Sequence, residues 1–241
     1  MPRSFVKRTT TGQSRMGALA GTPPTPVTPK RNPPSGSASN MTQADINAMI
    51  QRQRAVSDAQ TRAAVNLYTD PNPNHGGYAI SQSMNHALNN NGKLTKQQQD
   101  MADQLDRIMV PIGKETYLYR ANHDGFLLRQ GLDPQQIPNT KALKKALVGA
   151  TWTEKGFSST SHDTAKNPFW AGNYMGGGRE VLMRIHTAAG AKAALVQSSQ
   201  AEVLLARGTK YRITDAKFTG GWAYPQKGGR KKIIEIDVEV W

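Results

Sequence analysis

A single glutamate precedes an apolar run in the stretch SSQAEVLLARGTKYRI, residues 198–213. Three apolar residues follow Glu202 directly, and Gln200 stands two residues before it. Burying a charge among apolar side chains costs several kcal/mol unless the charge is paired. Since residues i and i+2 of a strand share a face, Gln200 and Glu202 are predicted to point the same way. Glu202 therefore needs either a partner or a chemical role.

Two further stretches put polar side chains where strands usually end in apolar ones. In TYLYRA, strand alternation places Arg120 on the same face as Leu118. In GFSSTS, four hydroxyl residues, Ser158–Ser161, follow Phe157. Each feature has an ordinary structural interpretation: a solvated arginine, a polar edge strand and a glutamate paired with a nearby lysine. Their chemical interpretation is that a guanidinium can grip a pyrophosphate and a carboxylate can stabilise a developing positive charge.

Taken together and in this order, Arg120, the Ser-Thr-Ser run and Glu202 resemble the mono-ADP-ribosyltransferases of the Arg, Ser-Thr-Ser, Glu class. That class includes the clostridial Rho-modifying exoenzymes, the actin-modifying binary toxins and related phage enzymes. The resemblance begins near NLYTDPNPNHGGYAISQSMNHALNNNGKLT, which is similar to the helical segment YT…Y…IN…LR of the family. It covers residues 66–213, and QAEVLLARGTKYRI is its most specific part.

The resemblance implies an enzyme that uses NAD as a substrate and needs no metal. Cleavage of the nicotinamide–ribose bond leaves an oxocarbenium-like sugar, and Glu202 would stabilise that positive charge. Arg120 would bind the pyrophosphate. Ser159, the first serine of the motif, would hold Glu202 in one rotamer and form a hydrogen bond near the ribose. Thr160 and Ser161 would stiffen the strand.

By the same resemblance, the segment HDTAKNPFWAGNYMGGGR, residues 162–179, contains the loop that covers nicotinamide and phosphate in the family. Phe169 or Trp170 would stack on the nicotinamide ring, and Arg179 would add a second phosphate contact. The alternative is that the two aromatic residues pack a short helix against the sheet. Glycines 176–178 predict a turn, because a glycine cluster without a following helix is not a phosphate loop.

Gln200 departs from the arginine-modifying members of the family, which carry glutamate at this position. A neutral amide cannot act as a base, so arginine is disfavoured as the acceptor. Members with glutamine there modify asparagine side chains or, in a separate branch, guanine bases, and Gln200 could form a hydrogen bond with either. A protein acceptor is slightly favoured, with a nucleic-acid base as the alternative. A third interpretation is a nucleic-acid-binding or phage structural protein that keeps the fold without catalysis.

Composition limits the partners and the location. The chain of 241 residues carries a net charge of +14, which favours acidic partners, either nucleic acid or an acidic host protein. It has no cysteine, which excludes disulfides and thiolate zinc sites, and its five histidines lack metal-ligand spacing. We find no apolar run of the roughly 18 residues that span a membrane and no signal peptide. We therefore expect a cytoplasmic monomer without membrane attachment, acting in the host cytoplasm if it is a phage or bacterial effector.

The predicted secondary structure changes along the chain. Residues 1–41 predict a disordered, basic, proline-rich tail, because the first 40 residues hold seven prolines, six Lys or Arg and no acidic residue. Residues 42–241 predict the ADP-ribosyltransferase domain, with a helical lobe over 42–110 and a β-rich NAD-binding core over 111–241. In the lobe, one long helix runs from a cap at Thr42 to Tyr68, a second covers YAISQSMNHALNN, and a third follows a cap at Thr95.

After residue 110 the sequence changes to short alternating runs, of which KKIIEIDVEVW is the clearest. Helices that precede strands indicate an α+β fold, in which the helical lobe packs on a mainly antiparallel β core of two sheets. The resemblance implies the same architecture, with the catalytic cleft in the β core.

Overall fold

The structure, a computed structural model, describes residues 38–70, 77–128, 131–164, 180–197, 201–223 and 229–240. All of these belong to one compact unit, Asn32–Trp241. Residues 1–37, which make up most of the predicted tail, lie outside the described residues. Ser39 and Asn40, also assigned to the tail, instead form a short strand, and Met41 is buried in the core. None of the helices in these ranges is long and apolar enough to cross a membrane.

In the described ranges, four helices lie before residue 110 and two shorter ones after it. They are α1 (Gln43–Val56), α2 (Ala59–Thr69), α3 (Gly77–Asn89), α4 (Lys96–Ile108), α5 (Gly125–Leu128) and α6 (Thr140–Leu147). The predicted caps at Thr42 and Thr95 are present, and each forms a reciprocal capping box. The single long first helix is wrong, because Asp58 starts a new helix after α1 ends. Its carboxylate accepts the N–H of Thr61 at 2.8 Å and caps α2.

Helix α6 lies inside the segment that was predicted to contain strands. Its N-cap is Asn139, whose side-chain oxygen accepts the N–H of Ala142 at 3.0 Å. Leu143 and Leu147, one turn apart, are both fully buried. The cap and the apolar i, i+4 pair are the usual signals of a short amphipathic helix.

In the part of the chain that the structure describes, ten strands join into one continuous hydrogen-bonded sheet, where two sheets were predicted. They are β1 (Ser39–Asn40), β2 (Val110–Pro111), β3 (Thr116–Asn122), β4 (Thr151–Glu154), β5 (Ser158–Ser161), β6 (Val181–Thr187), β7 (Lys192–Gln197), β8 (Glu202–Leu205), β9 (Thr209–Ala223) and β10 (Lys231–Val240). Their order is β2-β7-β8-β5-β3-β6-β10-β9-β4, with β1 alongside β3. Pairing is antiparallel except for β1 with β3 and β6 with β10, which confirms the mainly antiparallel α+β fold.

The sheet has two halves that meet at a single pair of residues. Strands β2, β7, β8 and β5 form one half, and β3, β6, β10, β9 and β4 form the other. Between the halves, β3 and β5 share only the pair Tyr119 and Ser161. So short a connection lets the halves turn their faces toward each other and enclose a core between them.

Two apolar clusters fill the unit. The first, between the two halves, includes Leu118 and Ile236 on one side and Val203 and Leu205 on the other. The second lies between the four-stranded half and helices α2, α3 and α4, and its members include Tyr68, Met84, Met101, Leu105, Phe157 and Leu204. The four-stranded half therefore packs apolar side chains on both faces, although Ser159 is exposed and Glu202 is partly exposed on the side of the helices. Its polar residues, among them Ser159 and Glu202, stand out against this apolar background.

Candidate active site

Glu202 is the first residue of β8 and lies between two neighbouring strands. It pairs with Ser161 on β5 and with Gln197 on β7. Ala201, just before it, is buried and has φ +51°, a left-handed conformation that a residue with a Cβ rarely adopts. The carbonyl of Ala201 accepts the N–H of His162 at 3.1 Å, which holds this turn in place. The backbone thus enters β8 through a strained residue directly before the half-buried carboxylate.

Ser159 and Glu202 share one face of the four-stranded half. Residues paired across antiparallel strands point to the same side, so Ser161 lies beside Glu202, and Ser159 lies on the same side two residues away. This is the side that faces the helices. Burial raises the pKa of Glu202, and a hydrogen bond with Ser159 opposes that shift. The carboxylate is therefore partly desolvated, and among the described side chains Ser159 contacts it.

Tyr68, at the end of α2, connects the helical lobe to this carboxylate. Its hydroxyl accepts a hydrogen bond from the side-chain amide of Asn85 at 3.1 Å. Burial raises the pKa of Tyr68, a hydrogen bond with Ser159 opposes the shift, and the charges of both Glu202 and Arg120 act on the same hydroxyl. Tyr68 therefore lies at the centre of the candidate site. From the sequence, Tyr68 is only part of the helical segment NLYT, and no role is predicted for it.

Helix α3 fixes the turn that leads into β5. The side-chain oxygen of Asn85 accepts the N–H of Phe157 at 2.9 Å, and that of Asn89 accepts the N–H groups of Lys155 and Gly156, both at 3.0 Å. A Cβ on Gly156 would come within 2.8 Å of the Asn85 oxygen, so the turn can approach this closely only with glycine. These contacts set the position from which Ser159 projects.

Thr160 and Ser161 bond to the backbone of nearby segments. The Thr160 hydroxyl donates to the carbonyl of Val203 at 2.6 Å, which joins β5 to β8 at the level of the site. The Ser161 hydroxyl donates to the carbonyl of Asp163 at 2.9 Å and accepts its N–H at 3.2 Å, which closes the turn after β5. Both hydroxyls therefore form hydrogen bonds within the fold.

Arg120, in β3, is half-buried and projects toward the core between the two halves of the sheet. It pairs with Met183 on β6 and lies two residues from the buried Leu118, on the same face. Within the described ranges no carboxylate forms an ion pair with it. Its charge acts on the hydroxyls of Tyr68 and Tyr211. A half-buried guanidinium without a carboxylate partner is suited to bind an anionic ligand.

Four predicted site residues, Phe169, Trp170, Arg179 and Gln200, lie outside the described residues. The remaining five are described: Ser159 is in hydrogen-bond contact with Glu202 and Tyr68, and the charges of Glu202 and Arg120 act on the Tyr68 hydroxyl. In the described part of the chain, no group of His, Cys, Asp and Glu side chains could hold a metal ion. A partly desolvated carboxylate and an anion-binding guanidinium suit the ribose and the pyrophosphate of a dinucleotide.

Comparisons with known proteins give the family and the fold of the chain. The family model described as ADP-ribosyltransferase exoenzyme matches residues 41–239. No curated protein matches the chain at the level of sequence.

Solved structures of toxins and exoenzymes share the fold. C3stau2 from S. aureus with NAD superposes with a TM-score of 0.62 and 20% identity, over 86% of this chain and 99% of that chain. The C3 exoenzyme of Clostridium limosum gives a TM-score of 0.59 and 22% identity, over 87% and 100%. Plx2a, an ADP-ribosyltransferase toxin from Paenibacillus larvae, gives 0.58 and 19%, over 81% and 92%. At these identities the likeness establishes the fold.

Proposed function

This protein belongs to the ADP-ribosyltransferase exoenzyme family and is an NAD+ ADP-ribosyltransferase, and we propose that it transfers a single ADP-ribose to an amide-bearing side chain of a protein, with Glu202 as the catalytic carboxylate. The observation that carries this proposal is the position of Glu202. Its carboxylate is partly desolvated, contacts Ser159, and lies with Arg120 within electrostatic reach of the Tyr68 hydroxyl.

The proposed reaction breaks the bond between nicotinamide and C1′ of the ribose. Nicotinamide leaves as a neutral molecule with the electron pair of that bond, so positive charge develops on the sugar. Glu202 stabilises this charge, and the stabilisation is stronger in a water-poor site than in solvent. The acceptor nitrogen then forms the new bond to C1′ and loses a proton.

Arg120 and Ser159 hold the substrate and the carboxylate in place. We assign Arg120 to the pyrophosphate, because its planar guanidinium can donate paired hydrogen bonds and no described carboxylate occupies it. Ser159 keeps Glu202 in one rotamer through the contact described above. Phe169 or Trp170 against nicotinamide, and Arg179 at the phosphates, complete the proposed NAD contacts.

Gln200 is the proposed determinant of the acceptor. Its neutral amide can pair with the amide of an asparagine side chain but cannot deprotonate an arginine. A nucleic-acid base is the second candidate acceptor, and the observation that favours it is the net charge of +14. Under that alternative the basic segment from Arg3 to Arg31 would act as a tether for nucleic acid.

Incubation with labelled NAD in whole lysate tests both the activity and the acceptor. The products are divided and treated separately with protease and with nuclease. We expect label that is released by protease and survives nuclease. Label that survives protease and disappears with nuclease would favour the nucleic-acid acceptor instead. If the protein neither consumes NAD nor labels any component, the catalytic assignment fails and a non-catalytic binding role replaces it.

The Gln200→Ala variant separates acceptor choice from NAD activation. We expect it to lose transfer to the macromolecule and to retain slow hydrolysis of NAD by water, because Glu202, Ser159 and Arg120 still activate the substrate. Equal loss of transfer and hydrolysis would place Gln200 in NAD activation rather than in acceptor choice.

A further inference from the structure

The side chain of Gln53 pairs with the backbone of β7 as a neighbouring strand would. Gln53 lies in α1 and is only 9% exposed. Its amide oxygen accepts the N–H of Leu195 at 3.0 Å, and its amide nitrogen donates to the carbonyl of Leu195 at 3.3 Å. One buried carboxamide therefore satisfies both backbone groups of a single strand residue.

The outer edge of β7 needs such a partner at this point. In the described part of the chain, β2 pairs with β7 only at Lys192 and Ala193, so it ends before it reaches Leu195. Backbone groups on the edge of a strand require another partner when they are shielded from water. Gln53 supplies that partner from the helical lobe and takes the place of a further residue of β2.

The pairing of β7 with β8 changes register directly after Leu195. Leu195 pairs with Val203, and Gln197 pairs with Glu202, so β7 uses one residue more than β8 at this step. The extra residue is Val196, and the irregularity is a β-bulge. Bulges are common next to active sites, where they change the direction of the chain. This bulge lies beside the candidate catalytic carboxylate.

The bulge sets the length of the connection that leads to Glu202. With the bulge, the four residues 198–201 connect Gln197 to its partner Glu202. Without it, Val196 would pair with Glu202, and the connection would contain one residue more. A slip of one residue changes the position of every side chain in the affected segment. Gln200, the proposed determinant of the acceptor, belongs to this connection.

We propose that Gln53 is a positioning residue for transfer to the acceptor: by holding Leu195 at the outer edge of β7, it fixes the bulge and thereby the place of Gln200 relative to Glu202. This inference rests on the proposed role of Gln200 in acceptor choice. Glu202 itself is also held from the other side, by its pairing with Ser161 in β5. Activation of NAD therefore depends less on Gln53 than transfer does.

The Gln53→Met variant tests the proposal through the ratio of two activities. Methionine has a similar length but can form neither hydrogen bond with Leu195. Transfer of labelled ADP-ribose is measured in lysate, and hydrolysis of NAD is measured without lysate, both well below the melting temperature. We expect transfer to fall about tenfold and hydrolysis to stay within about twofold. A lower melting temperature with an unchanged ratio of transfer to hydrolysis would indicate a purely structural role and would overturn the proposal.

Gln135→Met is the matched control, because Gln135 makes the same paired contact in the other half of the sheet. Its amide oxygen accepts the N–H of Lys232 at 2.7 Å, and its amide nitrogen donates to the carbonyl of Lys232 at 3.1 Å. Lys232 also borders an irregularity, in the pairing of β10 with β9. Gln135→Met should lower the melting temperature and leave the ratio of transfer to hydrolysis within about twofold of the wild-type value. An equal fall of this ratio in both variants would overturn the assignment to Gln53.

Gln53→Glu gives a second, milder test that serves even if Gln53→Met does not fold. It keeps an oxygen for the N–H of Leu195 and loses the amide donor, so we expect transfer to fall about threefold with hydrolysis within about twofold. An unchanged ratio of transfer to hydrolysis in this variant would also overturn the proposal.

The Gln200→Ala variant separates this inference from the proposed function. If Gln200→Ala loses transfer while both Gln53 variants keep it within about twofold, this inference fails and the role of Gln200 stands. If Gln200→Ala leaves transfer unchanged, or the wild-type protein transfers no ADP-ribose, the proposed function fails and this inference fails with it.

Discussion

Asn85 donates a hydrogen bond from its side-chain amide to the hydroxyl of Tyr68 at 3.1 Å, while the carbonyl oxygen of the same side chain accepts the N–H of Phe157. One carboxamide on α3 thus joins the end of α2 to the turn before β5. Because Tyr68 also contacts Ser159, the helical lobe fixes the position of the candidate active site through this side chain.

Replacing Asn85 with alanine should destabilise the fold. The substitution removes the acceptor of the buried N–H of Phe157 and one of the hydrogen bonds of the Tyr68 hydroxyl, so the free energy of unfolding should fall by about 1–3 kcal/mol. Denaturant unfolding measures this difference. The control is Asn47→Ala, which alters an exposed asparagine of α1 and should change stability by less than about 0.5 kcal/mol. Equal effects of the two substitutions would show that the hydrogen bonds of the Asn85 side chain do not contribute to the free energy of unfolding.

Asp45 should stabilise the start of α1 in a pH-dependent way. Its carboxylate accepts hydrogen bonds from Lys114 at 2.6 Å and from the N–H of Thr42 at 2.7 Å. The contact with Lys114 and the cap at Thr42 lower the pKa of Asp45 to about 2. A lowered carboxyl pKa contributes stability above the unfolded value of about 4, and that contribution is lost as the pH falls toward 2.

Asp45→Asn should therefore lower the free energy of unfolding by about 1–2 kcal/mol at neutral pH. Unfolding curves of both proteins, measured from pH 7 down to pH 2, should converge at the acid end. A difference that stays constant over this range would show that the charge of Asp45 has no part in the effect.

Ala201 offers a test of the strained turn before Glu202. Glycine adopts a φ of +51° without the steric penalty that a Cβ brings, so Ala201→Gly should leave stability within about 0.5 kcal/mol or increase it. Ala194→Gly, at a fully buried position of β7, should cost about 1 kcal/mol or more. Thermal unfolding of the two variants compares them directly. A larger loss at Ala201 than at Ala194 would contradict the left-handed assignment.

The last strand and the capped helices were predictable because their signals are local. In β10, Ile234, Ile236, Val238 and Val240 are all buried, as strict alternation predicts. Helix α6 carried an equally local signal, a cap followed by an i, i+4 leucine pair, which the strand-rich surroundings obscured. The end of α1 was missed because the sequence alone does not distinguish Asp58 from an ordinary polar residue inside a helix. Its capping contact with Thr61 is visible only in the structure.

The position of Tyr68 beside the candidate site could not be predicted, because it depends on which elements pack across from each other. A tyrosine at the end of a helix or in an alternating strand is usually an ordinary core residue. Only the packing of α2 against the four-stranded half of the sheet brings the Tyr68 hydroxyl to Ser159. Sequence patterns within single segments carry no information about such contacts.

The central claim is that Glu202 stabilises the ribosyl cation, and the transfer rate of the Glu202→Gln variant tests it most directly. Gln keeps the shape of the side chain and removes its charge. A Glu239→Gln control alters a glutamate of β10 that pairs with Arg212, outside the site. For each variant, transfer of labelled ADP-ribose is measured together with the Kd for NAD. We expect Glu202→Gln to lower the transfer rate at least about 10²-fold, with the Kd within about threefold of the wild-type value and the control unaffected. Transfer by Glu202→Gln within a few-fold of the wild-type rate would contradict the assignment.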